Sequence, residues 1–309
     1  KSTLYLTVFY SFFMLVMRKT TFFRLNRVAF IVGTCICMVM PFIDISIPDN
    51  LEARMPMDVI ESVLESSSPE SVLLDGAVVT DESTGSGMGI FLIEIIFIAG
   101  AMVSFFTTVR SYWLMRRMIL SVEDKVIDGI RVKVTEEDIP SFSWGRYIVI
   151  SIRDLEENPA ILTHERMHVK CGHSIDLMAY SIVTTLHWFN PLVWIARTEL
   201  KMLHEYEADN LTINKGIDAT QYQLLLVKKA VGAKRFQLAN GFNHSKLKNR
   251  ITMMYKNKTN KWMRLAYVLC IPVLLGAMCC CSQNNAKNND DEAPVPFVLV
   301  NMGCTAHIT

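Results

Sequence analysis

Two histidines four residues apart, His164 and His168, enclose Glu165 in the stretch His164-Glu165-Arg166-Met167-His168. On an α-helix, positions i and i+4 share a face. Both imidazoles can then reach one metal ion, and the intervening carboxylate is turned toward a water on it. Two imidazoles and one carboxylate form the donor set of a catalytic zinc that keeps a position open for water. Glu205, within His204-Glu205-Tyr206-Glu207-Ala208-Asp209, can supply the carboxylate from a second helix. Asp209 follows four residues later on the same face, where it can accept from a ligand imidazole and fix its tautomer. H-E-x-x-H alone is only moderately specific, because a His-Glu pair on an ordinary amphipathic helix can simply be solvated. The later E-x-x-x-D and the flanks favour the metal: Pro159 stands where a helix commonly starts, and Ala160-Ile161-Leu162 gives it an apolar approach.

The elements that must hold these groups can be read outward from them. Upstream, Ile130-Arg131-Val132-Lys133-Val134 alternates with period two, as Tyr147-Ile148-Val149-Ile150 does in part, and Pro140 and Gly145 bracket Phe142-Ser143-Trp144. The expectation is a small antiparallel sheet leading into the H-E-x-x-H helix. An edge strand at Phe142 and Trp144 could pair with an extended substrate backbone. A sheet that only braces the helix fits the same pattern. Downstream, Ile175–Ile195 is apolar but contains Asp176, His187, Asn190 and Pro191. A complete membrane crossing there would put Glu205 opposite His164, out of reach of a shared metal. Three arrangements remain: a re-entrant segment broken near Asn190-Pro191, a metal within the membrane thickness in a wet cavity, or a buried helix of a domain packed on the inner leaflet.

Hydrophobic residues make up 51% of the 309, and they are clustered. Leu4–Met17, Val28–Ile43 and Leu265–Cys281 carry no charge, and Ile90–Val109 carries only Glu94. A spanning helix needs about 20 apolar residues; the first two runs are short by that measure. The chain begins with Lys1, so residues upstream are expected. A signal peptide competes for the first run, but Arg18-Lys19 follows it in place of a small-residue cleavage site. Arg18, Lys19, Arg24 and Arg27 lie between the first two runs, and Asp44 to Met88 holds ten acids against one base, Arg54. Arg110, Arg116 and Arg117 follow the third run. Under the positive-inside rule the first loop and the metal-motif region are cytoplasmic, and the acidic loop and both termini are outside.

The expected architecture is an α-helical integral membrane protein of the inner (cytoplasmic) membrane, with four spans and a small α+β cytoplasmic zinc-metallopeptidase domain of gluzincin type. Its layout is two spans within 1–43, an outer acidic loop over 44–88, and a third span over 89–113. The peptidase region follows over 114–263, then a fourth span over 264–281 and an outer linker and tail over 282–309. The outer loop is too small for a folded sensor. Lys246, Lys248, Arg250, Lys256, Lys258 and Lys261 form a basic stretch that adjoins a span on the cytoplasmic side. Anionic membrane lipid therefore explains it better than direct nucleic-acid binding. The eight cysteines show no metal-ligand spacing, and Cys279-Cys280-Cys281 reads as interfacial filler ahead of an acylation site.

The order of two spans, acidic loop, third span, H-E-x-x-H, Trp188-Phe189-Asn190-Pro191-Leu192-Val193-Trp194, Glu205…Asp209 and fourth span resembles the BlaR/MecR membrane metallopeptidases from Leu4 to Cys281. Thr21–Arg27 and the Phe242–Met254 region look like a branch in which the protease is fused to varied outer domains. The resemblance implies zinc held by His164, His168 and Glu205, with Glu165 as general base and Asp209 supporting a ligand. It also implies a cytoplasmic protein substrate, a winged-helix repressor or the chain itself, cleaved to relay a signal that an outer sensor partner would supply. Only about 28 residues follow Cys281, against ~100–200 for a typical domain, and they contain no S-x-x-K. A penicillin-binding sensor domain and direct β-lactam acylation are therefore not expected. Two other functions compete. Housekeeping membrane proteases such as HtpX and the CAAX-prenyl proteases share H-E-x-x-H and a late Glu-x-x-x-Asp, but the Asn190-Pro191 stretch favours the first reading. A non-catalytic receptor or scaffold retaining zinc for structure would have no need of Glu165.

Overall fold

A computed structural model describes residues 1–43, 84–127, 129–137, 139–232 and 241–269. Most of the acidic loop, most of the expected fourth span, Cys279-Cys280-Cys281 and the tail lie outside the described residues. The described part is mainly helical with one small sheet.

Helix α1 (Ser2–Phe12) continues through a π-helical turn to Met17, and α2 (Phe23–Val39) follows after a short loop. Helix α3 (Thr84–Ser121) runs past residue 113, where the sequence pattern ended it, because no glycine or proline interrupts Leu114–Ser121. Among the described residues, Phe23–Phe42 and Gly89–Ser121 are long and apolar enough to cross a membrane, and Ser2–Met17 is a shorter apolar helix.

Four strands follow: β1 (Glu123–Ile127), β2 (Ile130–Thr135), β3 (Phe142–Trp144) and β4 (Tyr147–Ser151). Their spatial order is β1-β2-β4-β3. The sheet is mixed, not antiparallel throughout as the sequence suggested, since β4 lies parallel to β2 with Val132 opposite Ile148. The reason is that the chain leaves β2, passes over to form the outer strand β3, and then turns back at Gly145 to insert β4 in the middle. The central strands bury Val132, Val134, Ile148, Val149 and Ile150, while β3 lies at the sheet edge with no further strand beside it among the described residues.

From β4 the chain enters a short α4 (Ile152–Glu157), capped by Ser151, and then α5 (Pro159–Cys171), which carries the H-E-x-x-H motif. Pro159 occupies its first turn, where the missing N–H costs nothing. Gly172 ends it with φ 71°, donating to the carbonyls of His168 and Val169. That left-handed conformation is easy for glycine and strained for other residues. It lets α6 (His173–Leu186) start at the very next residue. Helix α7 (Pro191–Ile213) returns beside α6 after a turn at His187–Asn190. Asn190 caps it by accepting from the Leu192 N–H at 2.9 Å. The apolar segment is thus a helical hairpin broken at Asn190-Pro191. Its tip sits against α3: Trp188 Nε1 donates to the Phe97 carbonyl at 3.2 Å. A Cβ on Gly100 would lie 2.2 Å from the Trp188 ring, so only glycine permits that approach. Helices α8 (Ala219–Gly232) and α9 (Gly241–Tyr255) complete the body. The largest core cluster joins α1 and α2 to α6 and α7 through Phe9, Tyr10, Phe13, Phe30, Tyr180, Val193 and Leu200.

Candidate active site

Helices α5 and α7 bring the motif residues together. His164 Nε2 and His168 Nε2 lie 3.0 Å apart. Glu205 places Oε2 3.5 Å from His164 Nε2 and Oε1 3.6 Å from His168 Nε2. A tetrahedral zinc with ligand bonds of ~2.0–2.2 Å holds neighbouring donor atoms about 3.3–3.6 Å apart. The His–Glu spacings match that range and the His–His spacing is about 0.3 Å short of it, so the three groups converge closely enough for one such ion after a small parting of the imidazoles. The other ring nitrogens are already engaged, which leaves both Nε2 atoms for a ligand role. His164 Nδ1 is 2.8 Å from the Tyr222 hydroxyl and 3.3 Å from Asp209 Oδ1. His168 Nδ1 is 2.7 Å from His173 Nδ1.

Charge around the donors is also arranged for a cation. Burial alone would lower the His164 imidazolium, but Asp209 and Glu205 push it up to about 10. His168 goes the other way, to about 3, through burial and the neighbouring His164. Burial works to raise the Glu205 and Asp209 carboxyls, and Arg250 with His164 holds both below the usual range. Arg250 does this by direct contact. Its Nη1 donates to Glu205 Oε2 at 2.9 Å, and Nε and Nη2 grip Asp209 at 2.9 and 2.6 Å. This fork-on-carboxylate geometry is the strongest form of such a pair.

Sequence pattern alone had assigned Arg250 to a lipid-facing basic stretch. The structure turns it inward from α9, away from that role. Tyr222, which donates to Asp209 Oδ1 at 2.7 Å, and His173 were also missed. Tyr222 and Arg250 reach the site from helices far along the chain, so no local signal marks them, whereas His173 follows His168 by five residues, just past the glycine that ends α5.

Glu165 lies on the same helix, 8% exposed, in the wall of a cavity of about 610 Å³ that also takes in His164, His168 and Glu205. Burial pushes its carboxyl above the ordinary range, with His164 and a hydrogen bond from Ser143 working against the shift. Phe142, Ser143 and Trp144 line that cavity. They belong to β3, so the edge strand of the sheet forms part of the cavity wall. Trp144 also packs on Tyr112 of α3, ring centroids 5.1 Å apart.

The description "BlaR1 peptidase M56" matches residues 31–254, well over half of the chain. The protein belongs to this peptidase family. Its members are membrane-associated, in keeping with the two apolar helices long enough to cross a bilayer. The matched span begins within α2 and ends within α9. It therefore includes every residue of the converging His-His-Glu group and its supports at Asp209, Tyr222 and Arg250. No curated protein matches the chain.

Proposed function

We propose that this M56 peptidase is a zinc-dependent endopeptidase at the cytoplasmic face of the membrane, which relays a signal by cutting a cytoplasmic protein. The observation that carries the reading is the triangle of His164 Nε2, His168 Nε2 and Glu205 beside Glu165, in a cleft lined by an edge strand. Bound zinc would supply Lewis acidity for the scissile carbonyl and lower the pKa of water. Glu165 takes the proton from the attacking water and delivers it to the leaving amine, a task suited to a carboxyl that burial has raised. The β3 edge pairs with the substrate backbone, with Phe142 and Trp144 flanking it. Asp209, Tyr222 and Arg250 keep His164 and Glu205 in their ligand orientations.

The cytoplasmic placement follows from the positive-inside pattern. The cluster of Arg18, Arg24 and Arg27 lies on the same side of α1 and α2 as the metal site, since Arg27 reaches the end of α5 itself. Four spans with both termini outside complete the topology. A repressor of winged-helix type, or the chain itself, is the substrate class that the family resemblance suggests, and an outer partner would deliver the signal.

Detergent-purified protein tests the chemistry. The native chain should hold one zinc and cleave, while Glu165→Gln should keep the zinc and lose at least ~10²-fold in rate. Unimpaired cleavage by Glu165→Gln would sink the assignment. Labelling of an engineered cysteine at Lys215 from outside the cell would reverse the orientation. Cells carrying the native chain should contain a cytoplasmic fragment that Glu165→Gln cells lack.

A further inference from the structure

A second cluster of potential ligands lies beside the first: Cys171, His173 and Glu207 bring one donor atom each within 4.8 Å of one another. A cation already serves it. Arg27, on the second helix, donates from Nη2 to the Cys171 carbonyl at 2.6 Å. Its Nε donates to Asp176 Oδ2 at 2.5 Å, and its Nη1 to Glu207 Oε2 at 3.3 Å. Its side chain is 14% exposed. One guanidinium thus ties α2 to the last turn of the motif helix α5, to the first turn of α6, and to α7. The chain of contacts continues inward. His173 Nε2 is 3.2 Å from Glu207 Oε2, and its Nδ1 is 2.7 Å from His168 Nδ1. A parallel path runs through Asp176 to His204 Nε2 at 3.0 Å, and the His204 ring stacks on His173 at 4.2 Å and 7°.

The direction of these hydrogen bonds is fixed once His168 offers Nε2 to a metal. Its Nδ1–H then donates to His173 Nδ1, whose Nε2–H donates to Glu207, and Arg27 balances that carboxylate. Every link has one donor and one acceptor, so a single arrangement satisfies the whole path.

We propose that Arg27 is a positioning residue: through Glu207 and His173 it holds His168 in its ligand orientation, so that an apolar helix of the membrane part sets how tightly the site grips its metal. The proposal rests on His164, His168 and Glu205 forming the metal site. Groups that orient a ligand imidazole are worth ~10–100-fold in metal affinity.

The test is a double-mutant cycle on the full chain in detergent, read as affinity for zinc against a chromophoric chelator and as the visible spectrum of the cobalt(II) form. Arg27→Gln and His173→Gln should each weaken zinc at least ~10-fold and alter the cobalt bands. The double variant should be no weaker than the worse single one, because both cut the same path. Arg27→Lys, a point charge that cannot hold three acceptors, should recover only part of the loss. Glu207→Gln keeps the shape and gives the same readout should Arg27→Gln fail to fold. Native affinity in folded Arg27→Gln, or in Glu207→Gln where that variant stands in, would overturn the proposal. So would losses that add in the double variant, since Arg27 would then act on the fold and not through His173. A native chain that binds no zinc would overturn the metal site itself, and this role with it.

Discussion

The two groups of apolar helices in this protein are built to different ends. Helices α1 and α2 bury their aromatic residues inside the peptidase body. Phe9, Tyr10, Phe13 and Phe30 are each 1% exposed, and Phe30 lies 5.0 Å from Phe13 and 5.8 Å from Tyr180 between ring centroids. Helix α3 leaves most of its apolar side chains uncovered among the described residues, with Ile93 at 68%, Ile96 at 62% and Val103 at 64% exposure. It touches the body at a few points, chiefly Gly100 against Trp188 and Tyr112 against Ser181, the two hydroxyls 2.5 Å apart. Hydropathy alone treats these helices alike. Their surroundings separate them: the first pair is packed into the core of the peptidase body, and the third meets that body at discrete contacts and leaves its apolar sides exposed among the described residues.

Substitutions can break or sharpen that contrast. The largest effect is expected at Phe30→Ala, which opens a cavity among four aromatic rings and should cost about 3–5 kcal/mol in detergent unfolding. A loss under ~1 kcal/mol would mean that α2 is not core. Gly100→Leu should come next, at roughly 1–3 kcal/mol, because its side chain would overlap the Trp188 ring and displace it. Tyr112→Phe removes one hydroxyl bond to Ser181 and should cost about 1 kcal/mol. Ile96→Ala, on the uncovered face of α3, should stay within ~0.5 kcal/mol. A larger loss there would place a protein partner, and not lipid, against α3.

How much of this was legible in the sequence depends on the range of each signal. His164, Glu165 and His168 sit within one helical turn and a half, and Glu205 and Asp209 within another, so periodicity placed each set on a face. A break at Asn190-Pro191 was one of three arrangements the sequence left open, and the cap at Asn190 that settles the hairpin shows only in the structure. Longer-range features were not legible. Nothing local tells that β4 inserts between β2 and β3, since alternation is identical in parallel and antiparallel strands. Arg250 lay in a run of lysines, and only the packing of α9 on α7 distinguishes it from them. Arg27 looked like one more positive-inside residue. Its burial against Asp176 and Glu207 comes from the packing of α2 on α7, which brings its guanidinium to the start of α6.

The length of α3 carries a consequence for how substrates arrive. At ~1.5 Å per residue its 38 residues extend about 57 Å, whereas a bilayer's hydrocarbon is only about 30 Å thick. Held upright across a bilayer, ~27 Å of the rod would stand clear of the hydrocarbon, and the stretch from Arg110 to Ser121, which includes Arg116 and Arg117, would make up ~18 Å of it. Tyr112, two residues beyond the first of these arginines, packs at a tilt against Trp144 of the strand that lines the cleft. With α3 across a bilayer, that pair floats at the waterline, where tyrosine and tryptophan prefer to sit. The cavity beside β3 would then open near the headgroups, within reach of chain segments that lie close to the membrane surface.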